Sequence, residues 1–418
     1  MKIEDLYQIY SKEYLVDTDT RSIRKGTIYF ALKGTNFNGN TFAAEALEKG
    51  AVLSIVDEKE YITDDNIVLV DDVLKTLQSI ANYHRRKLNI PIVSLTGSNG
   101  KTTTKELIHS VLSTQYKTTA TKGNLNNHIG VPLTLLSMTP KTEIGIVEMG
   151  ANHHNEIAQL CAIAAPDYGY ITNFGKAHIE GFGSIQGVIE AKSEMYEFLR
   201  KHNKTVFINS RDKIQLEKAK GINSVMLGLD EIRYIDSNPF VKLHFHQKEI
   251  NTNLIGDYNF NNIAAAITIG QYFSISQKNI KQALENYIPN NNRSQIIKTV
   301  NNTIILDAYN ANPTSMKAAI DSFNSMSSKH KTIILGDMFE LGDEASNEHQ
   351  CLVDYSDSLH FDNKFYIGNL FYETKTTGEK FKSKMTFLDF LKSKPIVNHT
   401  ILIKGSRGMA LEKLVKSL

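Results

Sequence analysis

The run Val93-Ser-Leu-Thr-Gly-Ser-Asn-Gly-Lys-Thr-Thr-Thr104 passes from apolar residues through two glycines into a lysine and three threonines. Glycines let backbone N–H groups turn toward a bound phosphate, and a helix beginning at the lysine adds the positive end of its dipole. Lys101 can reach the β- and γ-phosphate oxygens, and the Thr102 hydroxyl can bind Mg2+. Gly97, Ser98, Asn99, Gly100 and Thr103 complete the candidate phosphate loop. The usual spacing puts the first glycine at position 95, where this chain has Leu95, with glycine displaced to 97. A variant loop is therefore expected. The bland alternative is a strand-turn-helix junction with an incidental lysine.

A metal at such a loop needs a partner from elsewhere. The apolar run Ile144-Gly-Ile-Val-Glu148 ends in a carboxylate, and ligands of open α/β sheets gather outside the carboxyl ends of strands, which suits Glu148 to Mg2+. By the same logic His178 follows the run Ile171-Thr-Asn-Phe-Gly-Lys-Ala-His178. Taken singly, a strand-terminal glutamate is ordinarily structural and a loop histidine ordinarily solvated. Lys192, inside a helical stretch, reads by itself as a surface lysine snorkelling to water.

These residues need a frame. Alternating apolar strands and amphipathic helices run through the middle of the chain: Ile92–Thr96, a helix over Thr102–Gln115, Ile144–Glu148, a helix over Ile157–Ile163, Tyr168–Thr172, a helix over Ile185–His202, then Val206–Ile208. That rhythm predicts β-α-β units and a parallel sheet. Arg233–Leu254 alternates polar and apolar residues and predicts antiparallel strands, followed by a helix over Asn259–Tyr272. The basic piece Tyr83–Pro91 reads as a linker, as does Ile288–Ser294, which is rich in turn formers. The α/β rhythm then resumes and ends in a helix over Met409–Val415. A chain of 418 residues accommodates two to four domains. The division expected is 1–86, 87–290 and 291–418.

Composition narrows the function classes. The 47 basic and 45 acidic residues leave a net charge of +2, so nothing points to nucleic acid or a membrane surface. Two cysteines 190 positions apart make neither a disulfide framework nor a zinc knuckle, and a reducing compartment fits. The charged, amphipathic start MKIEDLYQIYSKEY is no signal peptide, and no apolar run approaches the ~20 residues that span a bilayer. A soluble cytoplasmic protein, without nucleic-acid partners or membrane insertion, is expected.

Several stretches together carry a family resemblance: Thr96-Gly-Ser-Asn-Gly-Lys-Thr-Thr103, Glu148-Met-Gly-Ala-Asn-His153, Ala177-His-Ile-Glu-Gly-Phe-Gly183, Ala191-Lys192, Asn259-Phe-Asn-Asn262, Leu306-Asp-Ala-Tyr-Asn-Ala-Asn-Pro313 and Lys404-Gly-Ser-Arg407. In this order, across essentially the whole chain, they resemble the Mur ligase family of ATP-dependent amide-forming ligases. The resemblance implies three α/β domains. A small N-terminal domain holds a UDP-sugar-peptide, a central P-loop domain with a small antiparallel part holds ATP, and a C-terminal Rossmann-like domain completes the ligase.

Two further stretches, Gly123-Asn-Leu-Asn-Asn-His-Ile-Gly-Val-Pro132 and Leu335-Gly-Asp-Met-Phe-Glu-Leu-Gly342, imply one activity within the family. It is addition of D-alanyl-D-alanine to UDP-N-acetylmuramoyl-tripeptide through an acyl phosphate, for peptidoglycan synthesis. Separately, a monomer is expected. The rivals are the diaminopimelate- or lysine-adding relative, a folate polyglutamate ligase, and a non-catalytic nucleotide-binding regulator.

The resemblance also implies roles. Lys192 matches a lysine carbamylated by CO2, which with Thr102, Glu148 and His178 would hold Mg2+. Asn259 and Asn262 match adenine contacts, Asp307 a ribose contact, and Arg293 an arginine reaching the ATP phosphates. Asn310, Lys404, Ser406 and Arg407 are expected at the incoming dipeptide or the transferred phosphate. Thr20 and Arg21, within Asp19-Thr-Arg21, and Asn124, Asn126 and Asn127 are expected on the sugar-peptide substrate.

Overall fold

The computed structural model describes residues 1–290 and 292–418. Three open α/β sheets follow one another along the chain. The first has four parallel strands in sequence order, β1 (Val16–Asp17), β2 (Ile28–Phe30), β3 (Leu53–Val56) and β4 (Ile67–Leu69). Helix α1 (Val73–Leu88) leads from it to the second sheet.

That second sheet is wholly parallel. Its strands are β5 (Ile92–Thr96), β6 (Thr118–Ala120), β7 (Ile144–Glu148), β8 (Tyr168–Ile171), β9 (Thr205–Ile208) and β10 (Asn223–Met226), in spatial order β10-β9-β8-β5-β7-β6. Alternate side chains sort to opposite faces. Ile92, Val147, Ile171 and Val206 enter one core, while Val93, Leu95, Ile146, Tyr170 and Phe207 enter the other. Both faces are therefore covered, as a parallel sheet requires. A three-stranded antiparallel sheet, β11 (Ile232–Asp236), β12 (Phe240–Phe245) and β13 (Lys248–Ile255), packs on the second of these cores.

The third sheet comprises β14 (Gln295–Lys298), β15 (Thr303–Asp307), β16 (Lys331–Gly336), β17 (Asn363–Ile367), β18 (Glu379–Phe381) and β19 (Thr400–Lys404), in order β14-β15-β19-β16-β17-β18. Only β14 pairs antiparallel. The expected three-part α/β architecture is present.

Two local expectations fail. Tyr83–Pro91 is not a linker, because α1 runs through it to Leu88. Its basic residues are not all solvated. Arg85 is buried, donating from Nε to the Ala164 carbonyl at 3.0 Å and pairing through Nη2 with Asp167 at 2.6 Å. Apolar Val73, Leu77, Ile80 and Ala81 on the same helix join the core shared by the first two sheets. The helix expected over Met409–Val415 is instead two 3-10 turns, Arg407–Met409 and Leu411–Ser417, broken at Ala410 with φ +49°. Leu411 and Leu414 are buried against the third sheet beyond that break. The Ile288–Ser294 linker includes Asn291, which lies outside the described residues. Residues 287–290 and 292–294 carry no helix or strand. No helix among the described residues is long and apolar enough to cross a membrane.

Candidate functional site

Strand β5 delivers the chain into the loop 97–100, and helix α2 (Lys101–Leu112) starts at the lysine. The displaced glycine has a packing reason. A Cβ on Gly97, at φ +144°, would stand 1.9 Å from Thr172 Oγ1, and one on Gly100, at φ +80°, 2.7 Å from Asn262 Oδ1. Position 95, by contrast, lies inside the strand, where Leu95 is core. The loop is clasped by residues that follow β8. Ser98 N–H donates to the Asn173 carbonyl at 3.0 Å, Thr172 Oγ1 donates to the Asn99 carbonyl at 2.5 Å, and Ser98 Oγ donates to the Gly175 carbonyl at 2.7 Å. Lys101 folds back, with Nζ 2.7 Å from the Gly97 carbonyl. Burial lowers its pKa and the nearby Arg293 charge lowers it further, against an opposing pull from Glu148.

At the end of β7, Glu148 is 1% exposed. Its Oε1 accepts from Thr102 Oγ1 at 3.2 Å and from Asn126 Nδ2 at 2.9 Å, while Oε2 has no partner. A buried, half-satisfied carboxylate beside a hydroxyl suits a hard cation, because burying an unpaired charged oxygen is costly. His178 Nδ1 lies 2.5 Å from Glu340 Oε2, a carboxylate contact that orients the imidazole and leaves Nε2 as the nitrogen for a ligand. Among the described residues no group of three or more His, Cys, Asp or Glu side chains is placed to hold a metal.

Lys192 is not a surface lysine. It sits on helix α3 (Ile185–Lys201), 1% exposed, with Nζ 5.4 Å from the centre of the Phe182 ring. Burial, then repulsion from Lys101, pull its pKa down to about 7.

The loop, Glu148 and His178 face a cleft of about 660 Å3 between the second and third sheets. The second-sheet wall carries residues 98–103, Asn124, Asn126, Asn127, Glu148 and His178, with Asn259 and Asn262 from helix α4 (Asn259–Tyr272). Asn262 Oδ1 accepts from Thr104 Oγ1 at 3.0 Å, its Nδ2 donates to Asn259 Oδ1 at 2.8 Å, and Asn259 Nδ2 donates to the Ile255 carbonyl at 2.7 Å. Asn127 Oδ1 accepts from Gly130 N–H at 2.9 Å. Arg293, Asp307, Asn310, Lys404 and Arg407 line the opposite wall.

There Lys404 is 2% exposed and gripped by Asp307 at 2.6 Å and the Asn310 carbonyl at 3.2 Å. The two walls touch directly. Asn312 Nδ2 donates to Asn99 Oδ1 at 2.8 Å, and Lys176 pairs with Glu348 at 2.8 Å.

Some expected residues lie off the cleft surface. Gly97 and Lys192 sit behind it, and Ser406 is buried with Oγ accepting from Phe339 N–H at 3.0 Å. Thr20 and Arg21 belong to the first sheet's loops. Asp19 caps the turn Thr20–Ser22 and forms an ion pair with Arg21 at 2.5 Å, leaving the arginine side chain 88% exposed. Sequence reading passed over Tyr309, Asn312 and Glu340, although all three stand inside motifs quoted for the resemblance. Nothing in the chain order marks which of those side chains meet across the cleft.

Comparisons with known proteins cover nearly the whole chain. Residues 14–95 match the "Mur ligase family, catalytic domain" model, 95–270 the "Mur ligase middle domain", and 292–407 the "Mur ligase, glutamate ligase domain". The UDP-N-acetylmuramoyl-tripeptide--D-alanyl-D-alanine ligase of Bacillus subtilis is 36% identical, over 96% of this chain and 92% of its own length. The protein of the same name from Escherichia coli is 32% identical, over 96% and 93%. The crystal structure of MurF from Acinetobacter baumannii superposes with a TM-score of 0.86 at 29% identity, covering 96% of this chain and 92% of the other.

Proposed function

The chain belongs to the Mur ligase family, and from that premise we propose that it joins D-alanyl-D-alanine to UDP-N-acetylmuramoyl-tripeptide at the expense of ATP, a step of peptidoglycan precursor synthesis. The observation that carries the reading is the cleft. A phosphate loop with its lysine forms one wall, and Arg293, Asp307 and Arg407 form the wall opposite. Full-length likeness to relatives bearing the ligase name supports the choice of substrates.

Amide formation from a free carboxylate is uphill in water, so the tripeptide's terminal carboxylate first attacks the γ-phosphate of ATP. An acyl phosphate and ADP result. The dipeptide amine then attacks the acyl carbon, and phosphate leaves. The first step brings two anions together, and Lys101 and Arg293 offset that repulsion with fixed positive charge. Lys101 exchanges the Gly97 carbonyl for phosphate oxygens as the nucleotide enters. Asn259 and Asn262, held rigidly by their mutual hydrogen bond, stand at the adenine end, and Asp307 at the ribose.

Glu148 Oε2 and Thr102 Oγ1 are the oxygens suited to Mg2+, with His178 and a modified Lys192 as further ligands. The metal would supply charge neutralisation on the phosphates. Lys192 suits carbamylation, because a buried amine with its pKa near 7 is substantially neutral at physiological pH and can add to CO2. Residues 1–86 are assigned to the sugar-peptide, with Thr20, Arg21, Asn124, Asn126 and Asn127 toward it. Residues 87–290 are assigned to ATP. Residues 291–418 are assigned to closure and the dipeptide, with Asn310, Lys404 and Arg407 around the acceptor and Ser406 buried behind them.

The test is phosphate release from ATP and Mg2+ with UDP-muramoyl-tripeptide and a panel of amines. Release that requires D-alanyl-D-alanine supports the assignment. Release with diaminopimelate or lysine instead moves it to a sister ligase, and none with any acceptor indicates a regulator.

A further inference from the structure

Arg293 is unusual among the cleft's charged groups in what holds it. Its Nε is buried with no hydrogen-bond partner, and its guanidinium carbon lies 3.8 Å from the centre of the Tyr309 ring. Arg407 approaches the same ring at 5.7 Å. The ring itself is firmly mounted. Tyr309 stands between Asp307 and Asn310, and buried Lys404 bonds to both, closing the turn on either side of it. Beyond the turn, Asn312 caps helix α5 (Pro313–Ser325) through a reciprocal bond with Ser315. Stacking fixes the plane of a guanidinium while using none of its five N–H donors, so all of them stay free for an anion, whereas a hydrogen bond or ion pair consumes some.

We propose that Tyr309 is a positioning residue: its ring, braced by Lys404, fixes the Arg293 guanidinium where it faces the phosphate loop across the cleft. The proposal rests on the ligase reading for the identity of the anion, and on the stacking geometry for everything else. Arg407, farther from the ring, is steered more weakly by it.

A double-mutant cycle on Tyr309→Leu and Arg293→Ala tests it, measured by steady-state phosphate release and, separately, by calorimetric binding of ATP with Mg2+. Tyr309→Leu is expected to lower kcat about tenfold with a smaller change in the KM for ATP. Tyr309→Phe, which keeps the ring, recovers most of that loss. In the Arg293→Ala background, Tyr309→Leu adds little further. Additive effects, or a Leu variant indistinguishable from the parent, overturn the proposal, provided thermal unfolding shows each variant folded.

The binding cycle needs no turnover, so the two readings fail separately. A protein that binds ATP with the expected coupling but releases no phosphate with any amine refutes the ligase assignment and leaves the stacking intact. A protein that binds no ATP refutes both.

Discussion

Lys192 and Lys404 are buried alike, to 1% and 2% exposure, on opposite sides of one cleft. Lys404 has a carboxylate at 2.6 Å and a carbonyl at 3.2 Å. Lys192 has an aromatic ring at 5.4 Å and a second lysine's charge working against it. The same contrast extends around each lysine. On the second-sheet wall Glu148 Oε2 and Asn99 Nδ2 are also buried without partners; on the third-sheet wall the Asp307 carboxylate is satisfied by Lys404 and by Ser294 N–H, and Arg293, whose Nε is buried unpartnered, departs from that pattern because a ring and not a polar group holds it. An unpaired buried charge is costly and persists where a ligand or a covalent change completes it. A paired one holds a turn in place. One wall is built to receive and the other to present.

The largest expected effect comes from breaking the unpaired side. Lys192→Met should cut turnover by about three orders of magnitude, on the scale of losing a charge-stabilising group, while raising the melting temperature, because a desolvated amine is removed. Its pH signature follows from the shift. The folded chain holds this amine at about 7 against an ordinary 10.5, so between those values the unfolded chain binds the extra proton. Stability of the parent therefore rises as pH climbs from about 7 toward 10, and is lowest below 7. The Met variant should lose that slope. Unfolding followed at several pH values checks it, and a parent without the slope would mean that Lys192 is not held as an unpaired amine.

Breaking the paired side should act in the opposite direction. Asp307→Leu strands Lys404 in the interior and should cost about 3 kcal/mol of stability, the scale for removing one partner of a buried pair. Adding Lys404→Met should recover most of it. Chemical denaturation of the three variants measures this directly. No recovery in the double variant would show that the wall is not held by the pair.

The smallest effect is expected far from both walls. Arg21→Ala removes a side chain already 88% exposed and tied only to Asp19, so the melting temperature should not move. A few-fold rise in the KM for the nucleotide-sugar substrate would keep Arg21 on that substrate. An unchanged KM removes it.

The phosphate loop was legible because its signals are local: a β-rich run, glycines where φ is positive, and a helix starting at the lysine. The same local reading went wrong over Tyr83–Pro91, where a basic cluster suggested exposure. Asp167, 82 positions away, pairs with Arg85 inside that segment, and no window of sequence contains that partner. The final turns failed too. Met409–Val415 has helical spacing, yet the chain breaks at Ala410, at φ +49°, before Leu411 and Leu414 pack against the third sheet.

The sequence alone determined which chemical groups this protein owns and the order of its sheets, because glycine punctuation and hydrophobic period act over a few residues. It also carried the likeness to a ligase family, which is a property of ordered motifs. Tertiary structure alone decided charge state and company. Lys192 became an unpaired, near-neutral amine, Lys404 a brace, and Arg293 a guanidinium stacked on Tyr309. The physical reason is that desolvation and pairing depend on what packs within a few ångströms, and in this chain those neighbours come from segments scores of residues apart.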